Sequence, residues 1–165
     1  IARAAPPVPL SPAPPPPPGA RTALAAGLQQ EVRDGLVSIA GTDAVPIIRV
    51  QSAGMFASGS ATLEPRFRPT LARIAAALQA RPGPVQIIGY TDNQPIHTLA
   101  FPSNYQLSLA RAQAAADVLA ATIGRDRIKV EGRADADPID TNATPQGRQQ
   151  NRRIEIVAAQ EGRQP

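Results

Sequence analysis

With 165 residues, 42% of them hydrophobic and 18% charged, the chain holds material for one ordinary folded domain. It has no cysteine and a single histidine, His97, which excludes disulfides and thiol chemistry and leaves a histidine metal site or a Ser/His catalytic pair without its parts. The net charge of +4 suits a polyanionic partner, but the basic residues are scattered, only one is a Lys, and aromatics are 3%, so nucleic acid is not the expected ligand.

Residues 1–19 contain nine of the nineteen prolines and read as a linker in polyproline II conformation, able to reach roughly 50–60 Å. A docking peptide for a proline-reading domain is the competing use. No apolar run approaches the roughly 18–20 residues that span a bilayer, and no stretch of these residues reads as a signal peptide with a basic start and apolar middle. The first residue is not Met, so a fragment or processed product is expected, with any membrane anchor upstream of Ile1. Residues 20–160 form the expected domain and residues 161–165 a frayed tail.

From Arg21 to Asp34, Leu24, Leu28 and Val32 recur four apart and predict a short helix weakened by Gly27. Two strands follow, 36–40 and 47–51, joined as a hairpin through the turn-rich GTDAVP. The Gly- and Ser-rich stretch 52–63 is irregular, with Met55 and Phe56 expected to plug the core rather than to form a lid. Pro65 occupies the first turn of a helix whose face is Phe67, Leu71, Ile74 and Leu78, while Arg66, Arg68 and Arg73 point to solvent. That helix stops before Arg81, Pro82, Gly83 and Pro84.

A strand over 85–91 then runs through a polar loop opening on Asp92 into a long helix, half of a βαβ unit, where ligands collect between strand end and helix start. Ser103 with Gln106 three residues on predicts a capping box. The helix's apolar stripe reads Leu107, Ala110, Ala114, Val118 and Ile123. At about 100° per residue, Arg111 lies about 40° from Leu107, beside that stripe, where a guanidinium needs a partner. Asp92 is the nearest acid by topology. Two readings remain open: a structural Asp92–Arg111 ion pair, or two opposite charges facing one pocket that recognises a zwitterion such as an amino acid.

After Gly124, Ile128 and Val130 alternate with charges across 127–133 as in a half-exposed strand. Asp135, Asp137 and Asp140 lack the Gly and closing Glu of a calcium loop and read as solvated turn residues. A short helix over 145–150 leads to Asn151, Arg152, Arg153 and a last strand at 154–158. The two arginines should point to opposite faces, one toward the pocket. His97 is a loop residue at the surface or rim. No nucleophile stands with a base, and no acids pair at a useful spacing, so neither an enzyme nor a cofactor is expected. The element order predicts an α/β (α+β) sandwich with one mixed sheet and two main helices on one face.

The segments GYTDNQPI, FPSNYQLSLARAQAAADVL and GRADADPI followed by NATPQGRQQNRRIEIV resemble the OmpA-like C-terminal, peptidoglycan-binding domain over about 47–157. Its marks are a TD at a strand end, N-x-x-L-S-x-x-R-A opening a helix, and N-R-R before a final strand. GMFASGSATL with TDNQPI and FPSNYQLS more narrowly resembles the C-terminal extension of the DotU-family inner-membrane component of type VI secretion systems. Flagellar stator proteins share the long loop. The resemblance implies an OmpA-like fold and non-covalent binding of peptidoglycan, with Asp92 and Arg111 holding the amino and carboxylate groups of the diaminopimelate in the stem peptide. By the same resemblance Asn104, Leu107, Arg152 and Thr91 line or support that pocket. It further implies a periplasmic domain of an inner-membrane-anchored protein, with other envelope subunits of the secretion apparatus as partners. A stator wall anchor, or a protein-interaction module acting through the loop 93–102, are the alternatives. Two departures stand out: Tyr90 replaces a common His and should affect binding little, since it faces away from Thr91, and the loop 93–102 is longer than in outer-membrane members.

Overall fold

A computed structural model describes residues 19–158. Gly19 apart, the expected linker lies outside the described residues, as do the last two residues of the expected domain and the tail. The N-terminal helix is two pieces, α1 (Ala20–Gly27) and α2 (Gln29–Arg33), broken at Leu28. Leu24 and Leu28 are buried as expected, but past the break the register turns: Val32 is 39% exposed and Glu31 only 5%. Arg73 compensates that buried carboxylate, donating from Nη1 at 2.8 Å, and so is not a purely solvated residue.

Strands β1 (Val37–Gly41) and β2 (Pro46–Gln51) form the expected antiparallel hairpin. A short 3-10 turn at Pro65–Phe67 opens α3 (Arg68–Gln79), with Phe67, Leu71, Ile74 and Leu78 all buried. There follow β3 (Val85–Tyr90), α4 (Asn104–Ile123), β4 (Ile128–Gly132), α5 (Pro145–Asn151) and β5 (Arg153–Ala158). The five strands make one mixed sheet in the order β1-β2-β5-β3-β4. Only β3 and β4, joined through α4, are parallel; the last strand lies in the centre, antiparallel to both β2 and β3. The expected architecture of one mixed sheet with two main helices on one face is therefore the architecture observed.

Alternation decides the faces of the sheet. Ile48, Val50, Val85, Ile87, Ile154 and Ile156 point to the helices and join Leu71, Ile74, Leu78 and Leu119 in the main core. The residues between them point to the helix-free face, where Ile88, Tyr90 and Val157 make a small second cluster. Wedged between α3 and the β3–β4 pair, α4 buries a wider arc than a single stripe: Leu107, Ser108, Arg111, Ala112, Ala115, Ala116, Leu119 and Ile123. Ala110, Ala114 and Val118, assigned to the stripe, are half-buried at its edge, and Leu119 replaces them at the centre. Two glycines admit the helix this close. A Cβ on Gly89 would stand 2.0 Å from the carbonyl oxygen of Ser108, and one on Gly132 would stand 2.7 Å from the nitrogen of Leu109. The same close approach brings the end of β3 beside Arg111, one turn along α4 from Ser108.

Candidate functional site

Beyond Tyr90 the β3 backbone stays tied down, since the Thr91 N–H donates to Ala134 O at 2.8 Å. The Thr91 hydroxyl donates to the Asp92 carbonyl at 2.9 Å, and Asp92 Oδ1 accepts the Gln94 N–H at 2.9 Å, an Asx turn that orients the carboxylate. Its other oxygen, Oδ2, accepts from Arg152 Nη1 at 2.5 Å. Asp92 is therefore ion-paired, but with the arginine that enters β5 rather than with Arg111; the direct Asp92–Arg111 bridge, one of the two sequence readings, is not formed.

Helix α4 begins at Ser103, whose hydroxyl accepts the Gln106 N–H at 3.4 Å. Only half of the capping box forms, because the Gln106 amide oxygen accepts from the Ser103 hydroxyl at 3.0 Å instead of from its backbone. Asn104, Leu107 and Arg111, at spacings of three and four, share one face of the helix. Asn104 Nδ2 donates to Gln94 O at 2.9 Å and ties the loop to the helix. Arg111, 4% exposed, donates from Nε to Ser60 O at 2.8 Å and from Nη2 to Ala57 O at 3.2 Å, with its guanidinium 5.3 Å from the Phe56 ring centroid. Burial, and next the neighbouring charge of Arg152, lower its pKa to about 10, with Asp92 opposing. Among the described residues Arg111 enters no ion pair.

These groups converge on one open cavity of about 620 Å³. All six residues named from the sequence, Thr91, Asp92, Asn104, Leu107, Arg111 and Arg152, are on its wall. So are Phe56, Ile96 and Arg148, which the sequence reading left out of the site. Phe56 is buried as expected for a core plug, and it also faces the cavity beneath Arg111. Arg148 could have been found from its spacing: it lies in α5 four residues before Arg152, the residue that caps the C-terminal end of that helix. Of the long loop, Gln94, Pro95 and Ile96 reach the wall while exposed His97 does not.

Asn151, 1% exposed, supports the site from behind. Its Oδ1 accepts the backbone N–H groups of Ile139 and Asp140 at 2.8 and 2.9 Å, fixing the loop before α5 and thus the helix that carries Arg148 and ends at Arg152. Arg153, adjacent to Arg152, turns to the helix-free face as alternation predicts, stacking at 3.9 Å over Tyr90 and donating from Nη2 to Glu155 Oε1 at 3.2 Å. Tyr90 thus faces away from the cavity. Asp135, Asp137 and Asp140 are exposed, and no cluster of three metal-ligating side chains exists among the described residues.

Set against known proteins, residues 55–152 match the OmpA family. The chain is 36% identical over 134 residues to the probable lipoprotein YiaD of Escherichia coli, covering 80% of this chain and 59% of that protein. It is 41% identical over 104 residues to the peptidoglycan-binding protein ArfA of Mycobacterium tuberculosis, covering 62% and 31%. It therefore spans less than two thirds of the length of either relative. Among solved structures, the cell wall anchor of the T6SS from Pseudomonas aeruginosa is 42% identical with a TM-score of 0.80, over 86% of this chain and 99% of that one. This agrees with the narrower resemblance to a type VI secretion component. A putative MotB-like protein from Desulfovibrio vulgaris, 23% identical, shares the fold at a TM-score of 0.79 over 86% and 92% of the two chains. The matched segment holds every residue placed on the cavity wall from the sequence, from Thr91 to Arg152, and takes up well over half of the chain, which belongs to the OmpA family.

Proposed function

We propose that this domain binds peptidoglycan without making or breaking a bond, and that it anchors an envelope-spanning type VI secretion apparatus to the cell wall. The observation that carries the reading is the presence of one carboxylate and one acid-free guanidinium, Asp92 and Arg111, on the wall of a single open cavity. Asp92 spends one lone pair of each oxygen, on Gln94 and Arg152, and keeps acceptor capacity for an ammonium group. Arg111 commits Nε and Nη2 to carbonyls and keeps Nη1 for a carboxylate, in surroundings dry enough to strengthen a charge-assisted bond. An ammonium and a carboxylate on one carbon are the ends of a diaminopimelate side chain in a stem peptide. Asn104 and Thr91 hold the loop and the strand end in place, and Leu107 supplies an apolar wall.

The names of similar proteins, a peptidoglycan-binding protein and a cell wall anchor, support this reading. In it the domain lies in the periplasm, tethered by an upstream membrane anchor through the proline-rich residues 1–19 and assembled with other subunits of the apparatus. The flagellar stator alternative has the fold likeness at 23% identity and a sequence relative, Motility protein B of Bacillus subtilis, at 32% over 120 residues, against 42% for the secretion anchor.

Co-sedimentation with purified sacculi tests the site. The wild-type domain should pellet with the wall, and Asp92→Ala and Arg111→Ala should each remain in the supernatant with unchanged circular dichroism. Normal sedimentation of both variants overturns the assignment. Release of soluble muropeptides during incubation would instead favour an enzyme of wall metabolism.

A further inference from the structure

The charges on the cavity wall do not balance for a zwitterion. Three guanidinium groups, Arg111, Arg148 and Arg152, stand against one carboxylate, Asp92, for a net charge of 3 − 1 = +2. A guest with one ammonium and one carboxylate is neutral and leaves that excess where it was. Asp92 is shared by Arg152 and the guest's ammonium, and Arg111 is assigned to the guest's carboxylate, so of the two surplus charges one is held at the shared Asp92 and the other is Arg148, which meets no anion.

Arg148 is half-buried and is held by one bond, from Nη1 to the carbonyl of Asn142 at 3.0 Å. Its Nε and Nη2 have no partner among the described residues, and no acid lies within ion-pairing distance there. It stands one helical turn from Arg152, the turn being closed by the Arg152 N–H donating to Arg148 O at 3.1 Å. The anchored loop behind α5 therefore fixes both arginines on one rigid support. The cavity's 620 Å³ lies within the range of about 300–1,000 Å³ found for pockets that hold drug-sized ligands.

We infer that Arg148 forms a second anion subsite of the same cavity, and that the preferred ligand is a stem peptide carrying a second free carboxylate beside its diaminopimelate end. This rests on the peptidoglycan reading above. In such a peptide that carboxylate has two sources. One is the α-carboxyl of the preceding glutamate, which is linked through its γ-carboxyl. The other is the backbone carboxyl of diaminopimelate, where the peptide ends at that residue.

Isothermal titration of the wild-type domain with three soluble peptides separates the sources: the tripeptide with free glutamate, the same tripeptide with that group amidated, and the same tripeptide with the backbone carboxyl of its diaminopimelate amidated instead. Loss of one charge-assisted bond should weaken one of the latter two at least about tenfold relative to the first. Arg148→Gln should bind all three alike, at the weaker level, and Arg148→Lys should recover part of the preference. Equal binding of the three peptides by the wild type overturns the second subsite, as does a preference retained in Arg148→Gln. A purely structural role, acting through the bond to Asn142, would lower all three affinities together, keep the preference, and overturn it too. Should the wild type bind none of the peptides, the peptidoglycan reading falls with it.

Discussion

On the helix-free face of the sheet, Arg153 is 2% exposed and its guanidinium meets Glu155 and the ring of Tyr90; at the cavity, Arg111 is 4% exposed and meets only carbonyl oxygens and the ring of Phe56. The first arrangement is closed. Glu155 also has Arg49 3.6 Å away, and nearby Arg133 donates to Tyr90 Oη at 3.2 Å and pairs with Glu131, whose bond pushes its pKa up. The second is left electrostatically open, and the pKa of Arg111 falls instead. Two equally buried cations thus differ in whether their counter-charge is built into the chain. Burying an uncompensated guanidinium is unfavourable for folding, and in the proposed function the guest's carboxylate is the counter-charge that Arg111 lacks.

The largest effect expected from this contrast is on stability. Arg153→Leu strands Glu155 in a dry site with only the longer contact to Arg49, and denaturant unfolding should show a loss of about 3 kcal/mol. Next is Gly89→Ala: the new methyl would fall on the Ser108 carbonyl, force α4 away from β3, and cost about 1–3 kcal/mol. Because that shift separates Arg111 from Asp92, sacculus binding should drop as well, which a purely distant destabilisation would not cause. Arg111→Leu should change stability by no more than about 1 kcal/mol, in either direction, because no acid is left unpaired. If its unfolding midpoint falls as far as that of Arg153→Leu, the contrast between the two faces is wrong. Smallest is Tyr90→Phe, which removes the hydroxyl bonded to Arg133 on the face away from the cavity; a loss of about 0.5–1 kcal/mol and unaltered sacculus binding are expected.

Periodicity read from the chain found most elements because burial repeats along a helix or strand. It gave the hairpin, the α3 face, the start of α4 and the opposed directions of Arg152 and Arg153. It erred where packing is wider or more irregular than one stripe. The break at Leu28 exchanged Val32 for Glu31, and the wedge position of α4 recentred its buried arc on Leu119. At the site, strand-to-helix order placed Asp92 and Arg111 at one junction. It could not supply the partner of Asp92, which lies 60 residues away in sequence.

Local pattern was enough for secondary structure, for the mixed two-layer fold and, with the motifs, for six residues of the cavity. Folding in three dimensions settled the central place of β5, the union of Asp92 with Arg152 rather than Arg111, and the presence of Arg148 on the same wall. The reason is range. A side chain's face follows from its neighbours within a turn or two, whereas which charge meets which across the sheet depends on the strand order, and that order is set by the packing of the whole chain.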